Sequence, residues 1–213
     1  MAFVSADELA GRRTNLIEWG VAARTKTGQA ASGDRHVVTF FPSGALVAAM
    51  DGLGHGSEAQ AAAQAAAAIL EAQPEDSVIG LVRRCHEALR ETRGVVLSLA
   101  SFNNRDSTLT WIGIGNVEGV VMRANRAATP SREVLLLRGG VVGYQLPQLA
   151  ASVLSVAAGD TLVFATDGIR SDFGTDLSIG ESPQRRADRI LAQYAKGSDD
   201  ALAVVVEFRG MRP

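Results

Sequence analysis

Residues 48–57 read Ala48-Ala49-Met50-Asp51-Gly52-Leu53-Gly54-His55-Gly56-Ser57. The apolar residues before Asp51 predict a strand, and the alanine-rich run that starts at Ser57 predicts a helix. Asp-Gly is also a common hairpin turn, but here a helix follows instead of a returning strand. The alternating glycines leave the backbone between the two elements open to a ligand. The stretch therefore places the carboxylate of Asp51 at the end of a strand and beside an accessible loop.

Further acidic residues stand next to other strand-like runs. They are Asp34, Asp167 and the pair Asp199-Asp200. Each of them, taken alone, is equally compatible with an ordinary turn or loop. Four carboxylate positions brought together by a fold, without a cluster of cysteine or histidine, suit hard divalent cations that prefer oxygen ligands. The sequence therefore indicates a metal-dependent phosphate hydrolase.

Length and composition restrict the class of protein. The chain has 213 residues, of which 46% are hydrophobic, so we expect one compact domain over residues 1–213. A formal charge of −2 gives no electrostatic basis for binding nucleic acid or an acidic membrane surface. The single cysteine, Cys85, excludes an intramolecular disulfide and suits a reducing compartment. No apolar run approaches the roughly 18 residues that span a bilayer. We therefore expect a cytoplasmic monomer without nucleic-acid or membrane partners.

The order of strand-like and helical segments predicts an α+β fold. Runs rich in Val, Ile, Leu, Phe and Thr predict strands at residues 15–23, 36–41, 45–50, 95–100, 108–114, 117–124, 133–138, 161–166 and 202–208. Helical periodicity and terminating residues predict helices at residues 57–72, 76–93 and 183–194. Strands on both sides of a helical block are typical of antiparallel sheets that are covered by helices.

Two other kinds of phosphate chemistry do not fit. A cysteine-dependent phosphatase needs a thiolate followed at the sixth residue by arginine, but the sixth residue after Cys85 is Glu91. A Gly-x4-Gly-Lys-Ser/Thr loop, which binds nucleotide phosphates through backbone amides, is not present in the sequence.

Taken together, the acidic motifs resemble those of the PPM (PP2C-like) phosphatases. They occur in the order found in that family: Gly33-Asp34, then Asp51-Gly52-Leu53-Gly54-His55-Gly56, then Thr166-Asp167-Gly168, then Asp199-Asp200 before the last strand. Over nearly its whole length the chain is similar to the short bacterial, SpoIIE-type branch. Residues 51–59 look most like the feedback phosphatases of the stressosome.

The resemblance implies a PP2C-like β-sandwich of two mostly antiparallel sheets flanked by helices, in α-β-β-α layers, with two Mn²⁺ or Mg²⁺ ions at the sheet ends. The implied activity is hydrolysis of phosphoserine and phosphothreonine in proteins by a metal-activated water. The implied partners are phosphorylated STAS-domain scaffold proteins of a stressosome. By motif matching, Asp51 bridges both metals and Gly52 contributes its carbonyl. The other implied metal ligands are Asp34, Asp167 and Asp199, with Asp200 as the second choice to Asp199.

Three questions stay open at this point. The longer eukaryotic relatives carry an arginine and a Glu-Asp pair where this chain has Ser32-Gly33-Asp34, so the group that grips the phosphate is not identified. His55 is a candidate proton donor to the leaving oxygen, or else a residue that only hydrogen-bonds its loop. The rival to an enzyme is a catalytically silent PPM fold that binds proteins, although the filled acidic positions count against it.

Overall fold

The computed structural model describes residues 16–174 and 180–210. The strands in these ranges are β1 Ile17–Arg24, β2 Asp34–Phe41, β3 Gly44–Gly52, β4 Val95–Asn103, β5 Thr108–Ile114, β6 Glu118–Met122, β7 Arg132–Val134, β8 Leu137–Arg138, β9 Ser152–Ser155, β10 Thr161–Ala165 and β11 Ala201–Phe208. The helices are α1 Ser57–Ala72, α2 Val78–Ala88 and α3 Pro183–Tyr194, with a short 3-10 helix at Ser171–Gly174. None of the described helices is long and apolar enough to cross a membrane.

The strands form two sheets that pack face to face. Sheet 1 has the order β1-β11-β10-β6-β7, and every neighbouring pair is antiparallel. Sheet 2 has the order β2-β3-β4-β5-β8, with β9 also paired to β5, and only the β5–β8 pair is parallel. The predicted α+β class with two mostly antiparallel sheets is confirmed.

Three apolar layers hold the sheets and helices together. Along β3, Leu46, Ala48 and Met50 pack on the side of α1 and α2. Ala45, Val47 and Ala49 alternate with them and pack between the two sheets. A third layer joins sheet 1 to α3. The expected α-β-β-α order of layers is therefore confirmed, and strands that are buried on both faces explain the continuous apolar runs in the sequence.

The single strand predicted at residues 133–138 is wrong. The structure divides this segment between β7 on sheet 1 and β8 on sheet 2. Leu135 is buried between the sheets, and its amide donates to the carbonyl of Gly119 as the chain crosses from one sheet to the other. A change of sheet depends on tertiary packing, so the run of apolar residues did not reveal it.

Other boundaries differ by a few residues, and some of these differences concern the acidic motifs. Strand β2 begins at Asp34 and β3 continues through Gly52, so both residues belong to strands and not to loops. Helix α2 is shorter than predicted, and β9 was not predicted. Asn15, the first residue of the first predicted strand, lies outside the described residues. So do the two ends of the expected single domain, residues 1–15 and 211–213.

Small residues let the helices approach the sheets closely. The buried face of α1 is made of Ala59, Ala62, Ala63, Ala66, Ala67 and Leu70. A Cβ atom at Gly52 would stand 2.1 Å from the carbonyl oxygen of Ala59. Glycine at this position therefore allows α1 to lie directly against the end of β3.

Helix α3 touches β1 in the same way at Gly20. A Cβ atom there would stand 2.3 Å from the Cα and N atoms of Gln184. The side chain of Gln184 also accepts a hydrogen bond from the amide of Val21 at 3.1 Å and donates to its carbonyl at 2.8 Å. The backbone of β1 and the first turn of α3 are thus in direct contact.

We expect Gly20→Ala to lower the free energy of unfolding by about 1–3 kcal/mol, because the added methyl group pushes α3 away from β1. Urea denaturation followed by circular dichroism measures this change. Gly139→Ala is the matched control, since nothing lies within 4 Å of a Cβ atom at that position. Equal stabilities of the two variants would contradict the close packing of α3 against Gly20.

Candidate metal centre

Asp34 and Asp51 lie directly opposite each other in the ladder of β2 and β3. Because successive side chains of a strand alternate between faces, Asp51 shares the face of Ala49 and Val47, which point into the gap between the sheets. Opposed residues in an antiparallel pair have Cβ atoms about 4.5–5.5 Å apart, and like charges at this spacing destabilise the sheet. Two carboxylates therefore face one another at the open end of the sandwich.

The protein environment favours the neutral forms of both acids. Burial raises the pKa of Asp34 to about 8, and the negative charges of Asp51, Asp200 and Asp167 add to this increase. Burial raises the pKa of Asp51 to about 7, with further increases from Asp167, Asp199 and Asp200. Among the described residues, neither Asp34 nor Asp51 forms an ion pair with a Lys, Arg or His side chain. A bound divalent cation would remove the repulsion that raises both pKa values.

The Asp34 carboxylate is fixed from the opposite sheet. The hydroxyl of Thr166, at the end of β10, donates to Asp34 Oδ2 at 2.7 Å. The same hydroxyl oxygen accepts a hydrogen bond from the amide of Leu202 at 2.9 Å. Thr166 therefore connects β10, β11 and the acidic end of β2.

Asp167 follows directly and is oriented by a residue that the sequence analysis missed. Asn116 Nδ2 donates to Asp167 Oδ2 at 2.9 Å. Asn116 follows β5 just as Asp167 follows β10, so a polar residue after an apolar strand was the available signal. The carbonyl oxygen of Asp167 accepts a hydrogen bond from Lys196 Nζ at 2.6 Å.

The neighbouring acids Asp199 and Asp200 have different surroundings. Asp200 is buried, and its two carboxylate oxygens accept hydrogen bonds from the amides of Lys26 and Gly33, each at 2.7 Å. The side chain of Asp199 is 50% exposed, and its Oδ1 accepts from the amide of Asp200 at 3.0 Å. Lys26 Nζ lies 3.8 Å from the same Asp199 oxygen. Asp200 therefore organises the loop before β2, while Asp199 has a carboxylate oxygen that faces no described partner.

Glycine keeps space open between the oxygens of the site. A Cβ atom at Gly33 would stand 3.1 Å from the carbonyl oxygen of Gly52 and 3.3 Å from Asp51 Oδ1. The amide of Gly52 donates to the carbonyl of Gly33 at 3.1 Å, which holds the two glycines side by side. The Cβ atom of Ala59, 3.2 Å from the same point at Gly33, borders this space as well. The carbonyl and carboxylate oxygens beside it are ligands of the kind that a hard divalent cation prefers.

The predicted residues meet at one end of the sandwich, but they are not in a finished coordination geometry. Within residues 16–174 and 180–210, no group of three or more acidic, histidine or cysteine side chains is arranged to hold a metal ion. Four of the carboxylates instead accept internal hydrogen bonds; they belong to Asp34, Asp167, Asp199 and Asp200.

The glycine loop exposes His55 and is contacted by a second residue that the sequence analysis missed, Arg93. His55 is exposed between Gly54 and Gly56, whose φ angles are 96° and 76°. Arg93 Nη1 lies 2.5 Å from the place where a Cβ atom of Gly54 would be, and Arg93 is ion-paired to Glu58. The loop therefore presents an imidazole to solvent and has a guanidinium group packed against its backbone.

Comparison with known proteins gives consistent matches over most of the chain. A family profile described as Stage II sporulation protein E (SpoIIE) matches residues 42–209. The chain is 23% identical over 178 residues to the phosphoserine phosphatase RsbX of Bacillus subtilis strain 168. The aligned region covers 82% of this chain and 86% of that protein.

Solved structures match the fold as well. A structure from work on the bacterial stressosome and its control of secondary messenger signalling has a TM-score of 0.82 at 26% identity, covering 90% of this chain and 99% of that one. The structure of RsbX in complex with magnesium has a TM-score of 0.80 at 22% identity, covering 90% and 95%. The two-sheet architecture is that of the PP2C-like phosphatases.

The raised pKa values of Asp34 and Asp51 predict how stability depends on pH in a chelator. An acid with a folded-state pKa of about 7 or 8, against 3.8 when unfolded, contributes stability at low pH that is lost as the pH rises through the folded-state value. We therefore expect the Tm of wild type minus the Tm of Asp51→Asn to become more negative as the pH rises from 5 to 8.5. Thermal denaturation in EDTA measures it.

Mn²⁺ should reverse this trend, because metal binding requires the deprotonated carboxylates and so becomes stronger as the pH rises. The comparison with Asp51→Asn removes the contribution of the titrating groups that do not interact with Asp51, while Asp34, whose pKa the charge of Asp51 raises, contributes to the difference. A Tm difference that does not change with pH would contradict the raised pKa of Asp51.

The different surroundings of Asp199 and Asp200 predict different effects on stability when each is replaced by alanine. We expect Asp200→Ala to lower the free energy of unfolding by about 2–4 kcal/mol, since two backbone amides lose a charged acceptor. Asp199→Ala should change it by less than about 0.5 kcal/mol, because its side chain is half exposed. Urea denaturation in EDTA measures both values. The opposite ranking would mean that Asp199 organises the loop.

Proposed function

Since the chain belongs to the SpoIIE family of PPM-type phosphatases, we propose that it removes phosphate from phosphoserine and phosphothreonine residues of proteins with the help of divalent metal ions. The single observation that carries this proposal is the pair Asp34 and Asp51, directly opposed and without a described basic partner. A protein that needs such a pair only for stability would be expected to balance the charges. A metal-dependent enzyme needs them unbalanced.

We propose that two Mn²⁺ or Mg²⁺ ions bind at this end of the sandwich. The groups that would hold them are the carboxylates of Asp34, Asp51, Asp167 and Asp199 and the carbonyl of Gly52. When bound, divalent cations supply Lewis acidity that lowers the pKa of water and stabilises negative charge on phosphate oxygens. The proposed set of metal ligands leaves out Asp200, because both of its carboxylate oxygens accept hydrogen bonds from backbone amides.

Other residues of the chain contribute mainly by positioning the proposed metal ligands. Thr166 orients the Asp34 carboxylate and Asn116 orients that of Asp167, and each of these hydrogen bonds engages only one oxygen of its carboxylate. Partners of this kind fix the direction of a metal ligand and support its affinity. Gly33 keeps the space between Asp51 and the Gly52 carbonyl free.

In the proposed reaction, the oxygen of a water molecule forms a new bond to phosphorus while the water gives up a proton. The ester P–O bond breaks, and its electron pair goes to the serine or threonine oxygen, which takes up a proton. The products are the free hydroxyl and inorganic phosphate, without a phosphoenzyme. His55 is exposed on the glycine loop and stays a prediction as the donor of that proton.

For the substrate we propose phosphorylated STAS-domain scaffold proteins of a stressosome. The support is the similarity to RsbX, named as a phosphoserine phosphatase, and to a structure from work on the bacterial stressosome. Dephosphorylation of a scaffold would reset the signal that its phosphorylation carries. A single domain spanning residues 1–213 that acts as a monomer in the cytoplasm stays a prediction from the sequence.

The experiment measures phosphate release from a phosphoserine protein, with Mn²⁺ or with EDTA, for wild type and Asp51→Asn. We expect release that needs Mn²⁺ and falls by at least about 10²-fold in kcat in the variant, because the opposed pair is lost. Asp106→Asn is the matched control, since Asp106 is exposed in the β4–β5 turn at the opposite end of sheet 2.

Full activity of Asp51→Asn at saturating Mn²⁺ would remove Asp51 from the centre. A wild type that gains no thermal stability from Mn²⁺ and releases no phosphate would instead support the catalytically silent, protein-binding PPM fold. A ligand that binds only the folded state raises the Tm, so metal binding can be tested without any substrate.

A further inference from the structure

The distribution of lysine in this chain is unusual. The sequence contains 19 arginines but only two lysines, Lys26 and Lys196. Both lysines lie at the acidic end of the sandwich: Lys26 Nζ is 3.8 Å from Asp199 Oδ1, and Lys196 Nζ is 2.6 Å from the carbonyl oxygen of Asp167. The other long basic side chains are all arginines, including Arg93, which packs against the glycine loop at the same end. The acidic end is therefore the place where the chain uses ammonium groups.

The two ammonium groups differ in their partners. Lys26 forms an ion pair with Asp199, whereas Lys196 donates to a neutral backbone carbonyl. Among the described residues, no carboxylate lies within ion-pair distance of Lys196. Glu118 is near enough to feel its charge, since Lys196 acts to lower the pKa of Glu118 although burial raises that pKa overall. The charge of Lys196 is thus not neutralised by direct contact.

The backbone also fixes Lys196 next to Asp167. The amide of Lys196 donates to the carbonyl of Gly168 at 2.8 Å, and Ala195 pairs with Ile169 in an isolated β-bridge. With one N–H group of the ammonium bound to Asp167, two more N–H groups are available on the solvent side. The segment therefore holds an exposed cation at a residue that we propose as a metal ligand.

We propose that the ammonium group of Lys196 binds the phosphate of the substrate, an inference that rests on the proposed phosphatase function. A phosphate monoester brings up to two negative charges to a site that already contains several carboxylates, so it needs cations in addition to the metal ions. An ammonium group is a compact point charge that suits non-bidentate contact with phosphate oxygens. The ammonium group of Lys196 stabilises charge on the phosphate oxygens.

Two variants test this role by kinetics. We expect Lys196→Met to reduce kcat/KM by about 10²-fold, the loss typical of removing one donor that stabilises a charged transition state. Its Mn²⁺ affinity, measured by calorimetry, should stay within about twofold of wild type, because the metal ligands are intact. Arg105→Met is the matched control: it removes one positive charge from the exposed β4–β5 turn at the other end of sheet 2.

A direct readout uses the small number of lysines. Protein labelled with ¹³C at the lysine Cε position gives two signals, and Lys26→Arg identifies which belongs to Lys196. We expect inorganic phosphate, added to the Mg²⁺-loaded wild type, to shift the Lys196 signal in a saturable way and to shift the Lys26 signal much less. This measurement does not depend on the folding of any Lys196 variant.

The outcomes separate the two proposals. If wild type releases phosphate but Lys196→Met is equally active and phosphate leaves the Lys196 signal unchanged, the inference is wrong and the phosphatase function stands. If phosphate shifts only the Lys26 signal, the inference is likewise wrong. An inactive wild type whose two signals both ignore phosphate would overturn the inference together with the proposed function.

Discussion

The carboxylate of Asp200 joins the parts of the molecule on which the acidic end depends. It lies just before β11 of sheet 1 and accepts hydrogen bonds from the amides of Lys26 and Gly33, in the segment that leads into β2 of sheet 2. Because Gly33 in turn accepts from the amide of Gly52, one buried acid fixes the starts of β2 and β11 against the end of β3. Charge-assisted hydrogen bonds from backbone amides are among the stronger ones in proteins. The geometry of the other carboxylates follows from this connection.

The same end of the sandwich contains carboxylates that repel one another, and the stability of the rest of the fold must offset this repulsion. Asp34 and Asp51 lie opposite each other and are half-buried, and burial raises the pKa of both. The charges of Asp167 and Asp199 raise the pKa of Asp51 further. The apolar layers on both faces of each sheet supply the stability that makes such a conflict tolerable. Natural sites of this kind give up local stability for affinity toward a cation. The cost is confined to a sheet end, where strand register and core packing are already determined.

Local patterns in the sequence predicted much of the fold and the position of Asp51 at the end of a strand. Asp51 was recognisable because an apolar strand, a glycine loop and an alanine-rich helix follow one another within one short stretch. The α+β class followed from the order of strands and helices. These features need only neighbouring residues and the periodicity of hydrophobic positions.

The remaining features depend on contacts between distant residues. Asn116 is 51 residues from Asp167, and Lys196 is 29 residues from it, so neither contact leaves a local pattern. The choice between Asp199 and Asp200 depends on which side chain the segment before β2 covers. The change of sheet at Leu135 depends on the packing of two sheets against each other. Sequence patterns of single elements contain none of this information.

The close contact between Gly52 and α1 makes the two sides of the acidic end unequal in rigidity. Asp51 and Gly52 belong to β3, which is paired on both sides and packed against Ala59. Residues 196–198, which precede Asp199, are exposed and lie outside any helix or strand. Local opening requires little energy where few buried contacts are broken. We therefore expect amide hydrogen exchange to need only local fluctuation at the exposed residues 197–198, whereas at Asp51 it requires the opening of the central sheet.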